Sequence, residues 1–371
     1  MRDINIMLKP ASGLCNMRCK YCFYADETSK RETADYGLMS FDTLHAVLEK
    51  VLAEATGACT IAFQGGEPTL AGLPFFQEAV NVCKTKNVNQ CKINYALQTN
   101  GFLIDKEWCR FLSENQFLVG VSLDGPKEIH DSNRVDVTGK GTYSRVMHTL
   151  QLLKNHQVDT NILTVITADT AKSYRKIYNF FSRSGFEYQQ YIPCLDPFGE
   201  PRGQNSWSLT PERFEQYLKT AFDCWFHDAM QGHKVYHRYF DNLLLILNGQ
   251  APEACGMSGV CGIQYVVEAD GSVFPCDFYM FDEYRLGNLN TDAFSQIDEK
   301  RREIQFIGKS KKIDEKCKTC KWYPVCRGGC RRDRDYYHNG IGRNYYCVAY
   351  QHFFEYAWSK LGMVYQKIMR G

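Results

Sequence analysis

Strand-like and helix-like stretches alternate through the first two-thirds of the chain, and that alternation admits few folds. "INIML" (4–8) and "CTIAFQ" (59–64) read as strands. Between them "SFDTLHAVLEKVLAEATG" (40–57) has apolar residues at 44, 47, 48, 51 and 52, a helical period, and Gly57 as a stop. "PFFQEAVNVCK" (74–84) is the next helix, and "INYALQ" (93–98), "FLVGVSL" (117–123), "TNILTVIT" (160–167) and "YQQYIPCL" (188–195) continue the strands. Repeated strand–helix units predict an α/β fold around a parallel sheet.

The loops that leave these strands are polar and glycine-rich. A cysteine loop comes after the first, "GGEPT" (65–69) after the second, "TNG" (99–101) after the third, "DGP" (124–126) after the fourth and "DPFG" (196–199) after the sixth. In β/α barrels the C-terminal ends of the strands carry catalysis, although any single loop of this kind is also ordinary. After "DNLLLILNG" the helical period weakens and cysteines become dense, so two domains are expected, 1–235 and 236–371. A length of 371 residues accommodates both. The net charge of +2 gives no reason to expect a nucleic-acid or membrane partner, and no apolar run approaches the ~20 residues of a span. "MRDINIMLKP" holds no apolar signal core, so a cytoplasmic location is expected.

Seventeen cysteines, an odd number without a secretory signal, argue for metal ligands over a disulfide framework. "CNMRCKYCFY" places Cys15, Cys19 and Cys22 in one loop. Structural zinc sites close with four ligands, and the nearest later histidine, His45, lies on a predicted helix. A [4Fe–4S] cube held by three thiolates instead leaves one iron for the amino and carboxylate groups of a small molecule. If that molecule is S-adenosylmethionine (SAM), an electron from the cluster cleaves it to a 5′-deoxyadenosyl radical.

Cys-x₃-Cys-x₂-Cys after a first strand, with an aromatic before the third cysteine, resembles the radical SAM signature. Gly65-Gly66-Glu67 after the second strand is similar to that superfamily's "GGE", which meets the SAM amino group. The resemblance covers residues 4 to about 230 and implies a partial (β/α)₆ TIM-like barrel. It further implies SAM contacts from Tyr21, Ser122, Arg134 and Leu195. Outside that context Arg134 reads as a surface arginine and Leu195 as core.

Downstream, Cys261-x₉-Gly271-x₄-Cys276 precedes Cys317-x₂-Cys320-x₅-Cys326-x₃-Cys330 and then Cys347, with Cys255 as an eighth thiol. The pattern is similar to the SPASM domain, which implies two further fully ligated [4Fe–4S] clusters and a C-terminal helix; paired zinc ribbons are the alternative. By resemblance one cluster takes Cys255, Cys261, Cys276 and Cys330, and the other Cys317, Cys320, Cys326 and Cys347. Cys59, Cys83, Cys91, Cys109, Cys194 and Cys224 lack metal spacing and read as small buried residues.

"LKPASGLCNMRCKYCFYADE", "FQGGEPTLAGLPFF", "LQTNG" and "CDFYMFDEYRLGN" closely resemble the anaerobic sulfatase-maturating enzymes. That resemblance implies oxidation of a sulfatase Cys or Ser, in a Cys/Ser-x-Pro/Ala-x-Arg peptide of an unfolded or nascent chain, to Cα-formylglycine. It implies Asp277, next to Cys276, as the general base. It also implies a reduced donor such as flavodoxin or ferredoxin, and a monomer. Tyr24, Phe278 and Tyr279 are candidates for a substrate channel. A different SPASM peptide modifier, forming thioether or carbon–carbon crosslinks, and a non-catalytic zinc-ribbon module are the other readings.

Overall fold

The computed structural model describes residues 1–334 and 342–370. Among the described residues there are twelve strands: β1 Ile4–Leu8, β2 Met17–Cys19, β3 Ala58–Phe63, β4 Lys92–Thr99, β5 Leu118–Ser122, β6 Arg134–Asp136, β7 Thr160–Ile166, β8 Tyr188–Pro193, β9 Tyr236–His237, β10 Tyr265–Val267, β11 Ser272–Phe274 and β12 Gly287–Asn288. All six sequence-predicted strands are present, as β1, β3, β4, β5, β7 and β8.

The chain forms two compact units, each assembled from separated segments. The first holds 1–122, 134–160 and 263–306. Seven of its strands lie in the order β12-β11-β10-β1-β3-β4-β5, and β2 and β6 pair as a separate ribbon. The pairs β10·β1, β1·β3, β3·β4 and β4·β5 are parallel, and β10·β11 and β11·β12 antiparallel. Helices Phe41–Glu54 and Leu73–Lys86 are the crossovers that parallel strands require. Ser40 caps the first of them by accepting from Thr43 N, and its Leu44, Val47, Leu48, Val51 and Leu52 are buried. His45, on the same helix, bonds Glu78 at 2.7 Å.

The first unit thus takes in part of the cysteine-rich segment. β10 pairs with β1 in the register Ile6↔Tyr265. Val266, Phe274 and Met280 form a buried cluster against which Met7 packs. Gly271, the glycine of the second cysteine pattern, turns β10 into β11 at φ +85°, where a Cβ would lie 2.6 Å from Asn290 Nδ2 and 2.7 Å from Asn288 Oδ1.

The second unit holds 123–133, 161–262 and 307–371. β7, β8 and β9 run parallel, and helices Pro211–Gln231 and Cys347–Arg370 pack on one another. The buried Arg334 guanidinium donates to the carbonyls of Gly259, Ser310 and Lys312 at 3.0, 2.9 and 2.8 Å, drawing the cysteine-bearing loops together. The "DPFG" loop is held to the same region: Arg202 donates to Arg332 O at 2.6 Å and pairs with Asp333 at 3.0 Å, and Asp196 accepts from Gly203 N and Ser208 Oγ. The six cysteines without metal spacing are buried, as expected. No helix among the described residues is long and apolar enough to cross a membrane.

Candidate active site and metal centres

Cys15, Cys19 and Cys22 are half-buried on the segment running from β1 through β2 into helix Phe23–Ser29. Two glycines set how closely the next loop approaches it. A Cβ on Gly66 (φ +54°) would sit 2.3 Å from Leu14 O and 2.8 Å from Ser12 O, and one on Gly65 (φ +106°) 2.8 Å from Lys9 Nζ. Glu67 N donates to Leu14 O at 2.8 Å across the same contact. Asn100 Nδ2 reaches Cys15 Sγ at 3.8 Å and Asn16 Oδ1 at 2.7 Å. Burial pushes the Cys15 thiol up to about 11, so a bound cation is what would make its thiolate favourable here.

Glu67 is almost fully buried. Its Oε1 accepts from Thr69 N, Thr69 Oγ1 and Thr99 Oγ1 at 3.1, 2.6 and 2.7 Å, and Oε2 from Asn100 N at 2.7 Å. Burial still raises its carboxyl, against the pull of those four donors. The side chain ties the loop after β3 to the loop after β4.

Arg134 opens β6 opposite Cys19 in the β2·β6 ribbon. Its Nη1 lies 3.7 Å from Cys19 Sγ and its guanidinium 5.3 Å from the centre of the buried Tyr21 ring. Tyr21 and Arg134 therefore stand together beside the cysteine loop. Ser122 ends β5 and accepts from Gln98 Nε2 at 3.2 Å. Leu195, half-buried in the second unit, comes just after β8.

Asp277 sits in a polar cluster inside the first unit. Lys9 Nζ pairs with Oδ1 at 2.8 Å, both side chains being under a tenth exposed. Tyr24 donates to Oδ2 at 2.7 Å, and Gln64 Nε2 reaches the same oxygen at 3.0 Å and the Tyr24 hydroxyl at 2.8 Å. The Lys9 ammonium also lies 3.9 Å over the Tyr24 ring. Burial, reinforced by the neighbouring Asp277, raises the Tyr24 phenol well above its ordinary value, so Tyr24 stays a neutral donor. Asp277 Oδ2 is thus the acceptor that Tyr24 and Gln64 share.

Sequence reasoning missed Lys9 and Gln64. The available signal was position: each comes directly after a buried strand, Lys9 after β1 and Gln64 after β3. Of the aromatics expected to line a channel, Tyr24 belongs to this cluster and Phe278 meets Phe23 edge-on at 5.1 Å. Tyr279 is core, packed between Tyr284 and Phe306.

In the second unit, Cys317, Cys320, Cys326 and Cys347 line one cavity of about 210 Å³, walled by Trp322, Tyr350 and Phe354. Gln351 Nε2 lies 3.6 Å from Cys320 Sγ. Cys255, Cys261 and Cys330 form a second group, close enough that Cys255 and Cys261 both act on the Cys330 thiol, whose value burial raises. Cys261 N donates to Ser310 Oγ at 3.0 Å. Cys276 belongs to the first unit, directly before Asp277. Among the described residues no three His, Cys, Asp or Glu side chains close around a point as a single ion requires. The four thiols of the cavity are a donor set that a [4Fe–4S] cluster would suit.

The sequence compares with known proteins over its whole length. The radical SAM superfamily model matches residues 10–181, and the SPASM model, an iron–sulfur cluster-binding domain, residues 259–321. Over 363 residues the chain is 46% identical to a cysteine-type anaerobic sulfatase-maturating enzyme of Clostridium perfringens, covering 97% of this chain and 98% of that one. It belongs to the anaerobic sulfatase-maturating enzymes. The serine-type enzyme of Bacteroides thetaiotaomicron is 29% identical over 386 residues, 99% of this chain and 92% of that protein. Among solved structures, native anSMEcpe with bound AdoMet and Cp18Cys peptide superposes with a TM-score of 0.94 at 46% identity, covering 99% of this chain and 100% of that one. The fold of the family is thus the α/β radical SAM fold with its iron–sulfur SPASM domain, and the chain is a radical SAM enzyme.

Proposed function

We propose that this enzyme oxidises the active-site cysteine of a sulfatase, presented in a Cys-x-Pro/Ala-x-Arg segment, to Cα-formylglycine. Family membership supports the reaction. The higher identity to the cysteine-type enzyme, 46% against 29% for the serine-type, supports cysteine as the preferred residue. The observation that carries the chemistry is the buried Lys9–Asp277–Tyr24–Gln64 cluster adjoining Cys276.

Cys15, Cys19 and Cys22 would hold the SAM-binding [4Fe–4S] cluster. Gly65, Gly66, Glu67, Tyr21, Ser122, Arg134 and Leu195 are the candidates to hold SAM. Two further clusters would take Cys255, Cys261, Cys276 and Cys330, and Cys317, Cys320, Cys326 and Cys347. When bound, these groups supply one-electron cleavage of SAM, removal of a hydrogen atom from the substrate Cβ, and a sink for one electron. The chain supplies the proton chemistry. Converting CH₂–SH to CH=S releases a hydrogen atom, an electron and the thiol proton, and water then exchanges sulfur for oxygen with loss of H₂S. Asp277 accepts the thiol proton, Lys9 supplies its counter-charge, and Tyr24 and Gln64 fix the carboxylate by donating to Oδ2. A flavodoxin or ferredoxin is the proposed donor, and a monomer the proposed state.

Anaerobic incubation with SAM, reductant and matched Cys and Ser peptides, followed by mass spectrometry, tests this reading. Formylglycine forms from the Cys peptide faster than from the Ser peptide. A thioether or carbon–carbon crosslink in place of the aldehyde would remove it.

A further inference from the structure

Residues 309–321, "KSKKIDEKCKTCK", hold six lysines and two acids, a balance of +4 where the whole chain carries +2. All six lysines are exposed. The two acids are engaged locally: Asp314 caps the turn by accepting from Lys316 N at 2.9 Å, and Glu315 pairs with Lys318 at 2.7 Å. Lys321 pairs with Glu355 and lies 5.1 Å over the Trp322 ring. Lys309, Lys311, Lys312 and Lys316 have no carboxylate partner among the described residues. This charge adjoins a specific place. Lys316 and Arg343 line the cavity of Cys317, Cys320, Cys326 and Cys347. By contrast, the SAM-type cysteine loop offers only Arg18 and Lys20 as exposed cations, and Arg18 is spent on the carbonyls of Cys15 and Met17 at 2.8 and 2.9 Å.

A one-sign field of exposed charge steers oppositely charged partners and sets their orientation more than it adds affinity. Electron transfer falls steeply with distance, so a carrier must seat close to the group it serves. We propose that the lysine face of residues 309–321 docks an acidic protein that carries single electrons, holding it over the four-cysteine cavity. The inference rests on the reading of that cavity as an iron–sulfur site.

The test uses the anaerobically loaded enzyme and a purified acidic flavodoxin. Lys309→Glu/Lys311→Glu/Lys312→Glu, with side chains outside the cavity lining, is compared with the wild type and with Lys106→Glu/Lys154→Glu/Lys172→Glu, an equal charge change at exposed sites elsewhere. Dissociation constants and association rates are measured from 20 mM to 300 mM salt, on the order of a tenfold span. The face variant should bind on the order of 10–100-fold more weakly and lose most of its salt dependence, with the other variant within about twofold of wild type. Conversion of the Cys peptide with dithionite in place of the carrier should be the same in all three. Equal binding by the face variant overturns the proposal. So does equal weakening in both variants, or loss of binding only on Arg18→Glu/Lys20→Glu. A single-stranded RNA that binds the face more tightly than flavodoxin does also overturns it. Absence of aldehyde from wild type with dithionite counts against the maturation reading and leaves the binding result standing.

Discussion

Glu67 and Asp277 are both buried carboxylates in the first unit, and they are held in opposite ways. Glu67 accepts four hydrogen bonds from neutral donors, two backbone amides and two threonine hydroxyls, from Thr69 on its own loop and from Thr99 and Asn100 at the end of β4. Asp277 faces an ammonium, a phenol and a carboxamide from three separate segments that meet only in the folded chain. Four neutral donors, two of them across the gap between β3 and β4, make a staple whose purpose is geometry. A counter-charge with two orienting donors makes a group that can exchange a proton and remain in place. Burial of a carboxylate is therefore a poor guide to chemistry, and the identity of its donors a better one.

Replacing Cys15, Cys19 and Cys22 by Ala lies outside this comparison and has the largest expected effect. It should abolish SAM cleavage and lower bound iron from ~12 to ~8 atoms per chain by elemental analysis, with the acids untouched. Within the comparison, Lys9→Met strands the Asp277 charge in a buried site. It should cost ~3–5 kcal/mol in thermal or denaturant unfolding, unless the carboxyl takes up a proton, which infrared spectroscopy would register. Glu67→Gln turns an amide toward Asn100 N and should cost ~1–3 kcal/mol, with no change in aldehyde formed per SAM cleaved. Because burial raises the Glu67 carboxyl, the folded chain holds that proton more tightly than the unfolded chain. Its contribution to stability is greatest below the unfolded value and falls as pH rises through the folded one, a slope that Gln should remove. Tyr24→Phe deletes one donor to Oδ2 and should lower aldehyde formation only about tenfold.

The six strands of the alternating pattern were legible because each is long enough to show its period against flanking Gly and polar residues. β10, β11 and β12 were not. They span three, three and two residues among cysteines and turn formers, too short for periodicity to register. The pairing of β10 onto β1, with β11 and β12 added antiparallel beyond it, is a long-range consequence of burying Tyr265, Val266 and Val267. The division of the downstream cysteines came from the resemblance to the SPASM pattern; the structure brings Cys317, Cys320, Cys326 and Cys347 to one cavity and Cys255 and Cys261 close to Cys330. The cluster around Asp277 was legible in one member only. Lys9 and Gln64 each sit just past a strand end and read locally as loop polarity, and only topology brings them to Asp277.

The most direct test of the contrast is the aldehyde formed per 5′-deoxyadenosine released in Asp277→Asn, measured by mass spectrometry under anaerobic single-turnover conditions. Asn keeps the shape and removes the basicity, and loss of a well-placed base typically costs ~10²–10⁴ in rate. The ratio should fall by that order while SAM cleavage persists, less steeply with a Cys peptide (thiol pKa ~8.5) than with the far weaker acid of a Ser peptide. Glu67→Gln should leave the ratio at the wild-type value. An unchanged ratio in Asp277→Asn with both peptides, or an equal fall in Glu67→Gln, would contradict the assignment of Asp277 as the base and Glu67 as the staple.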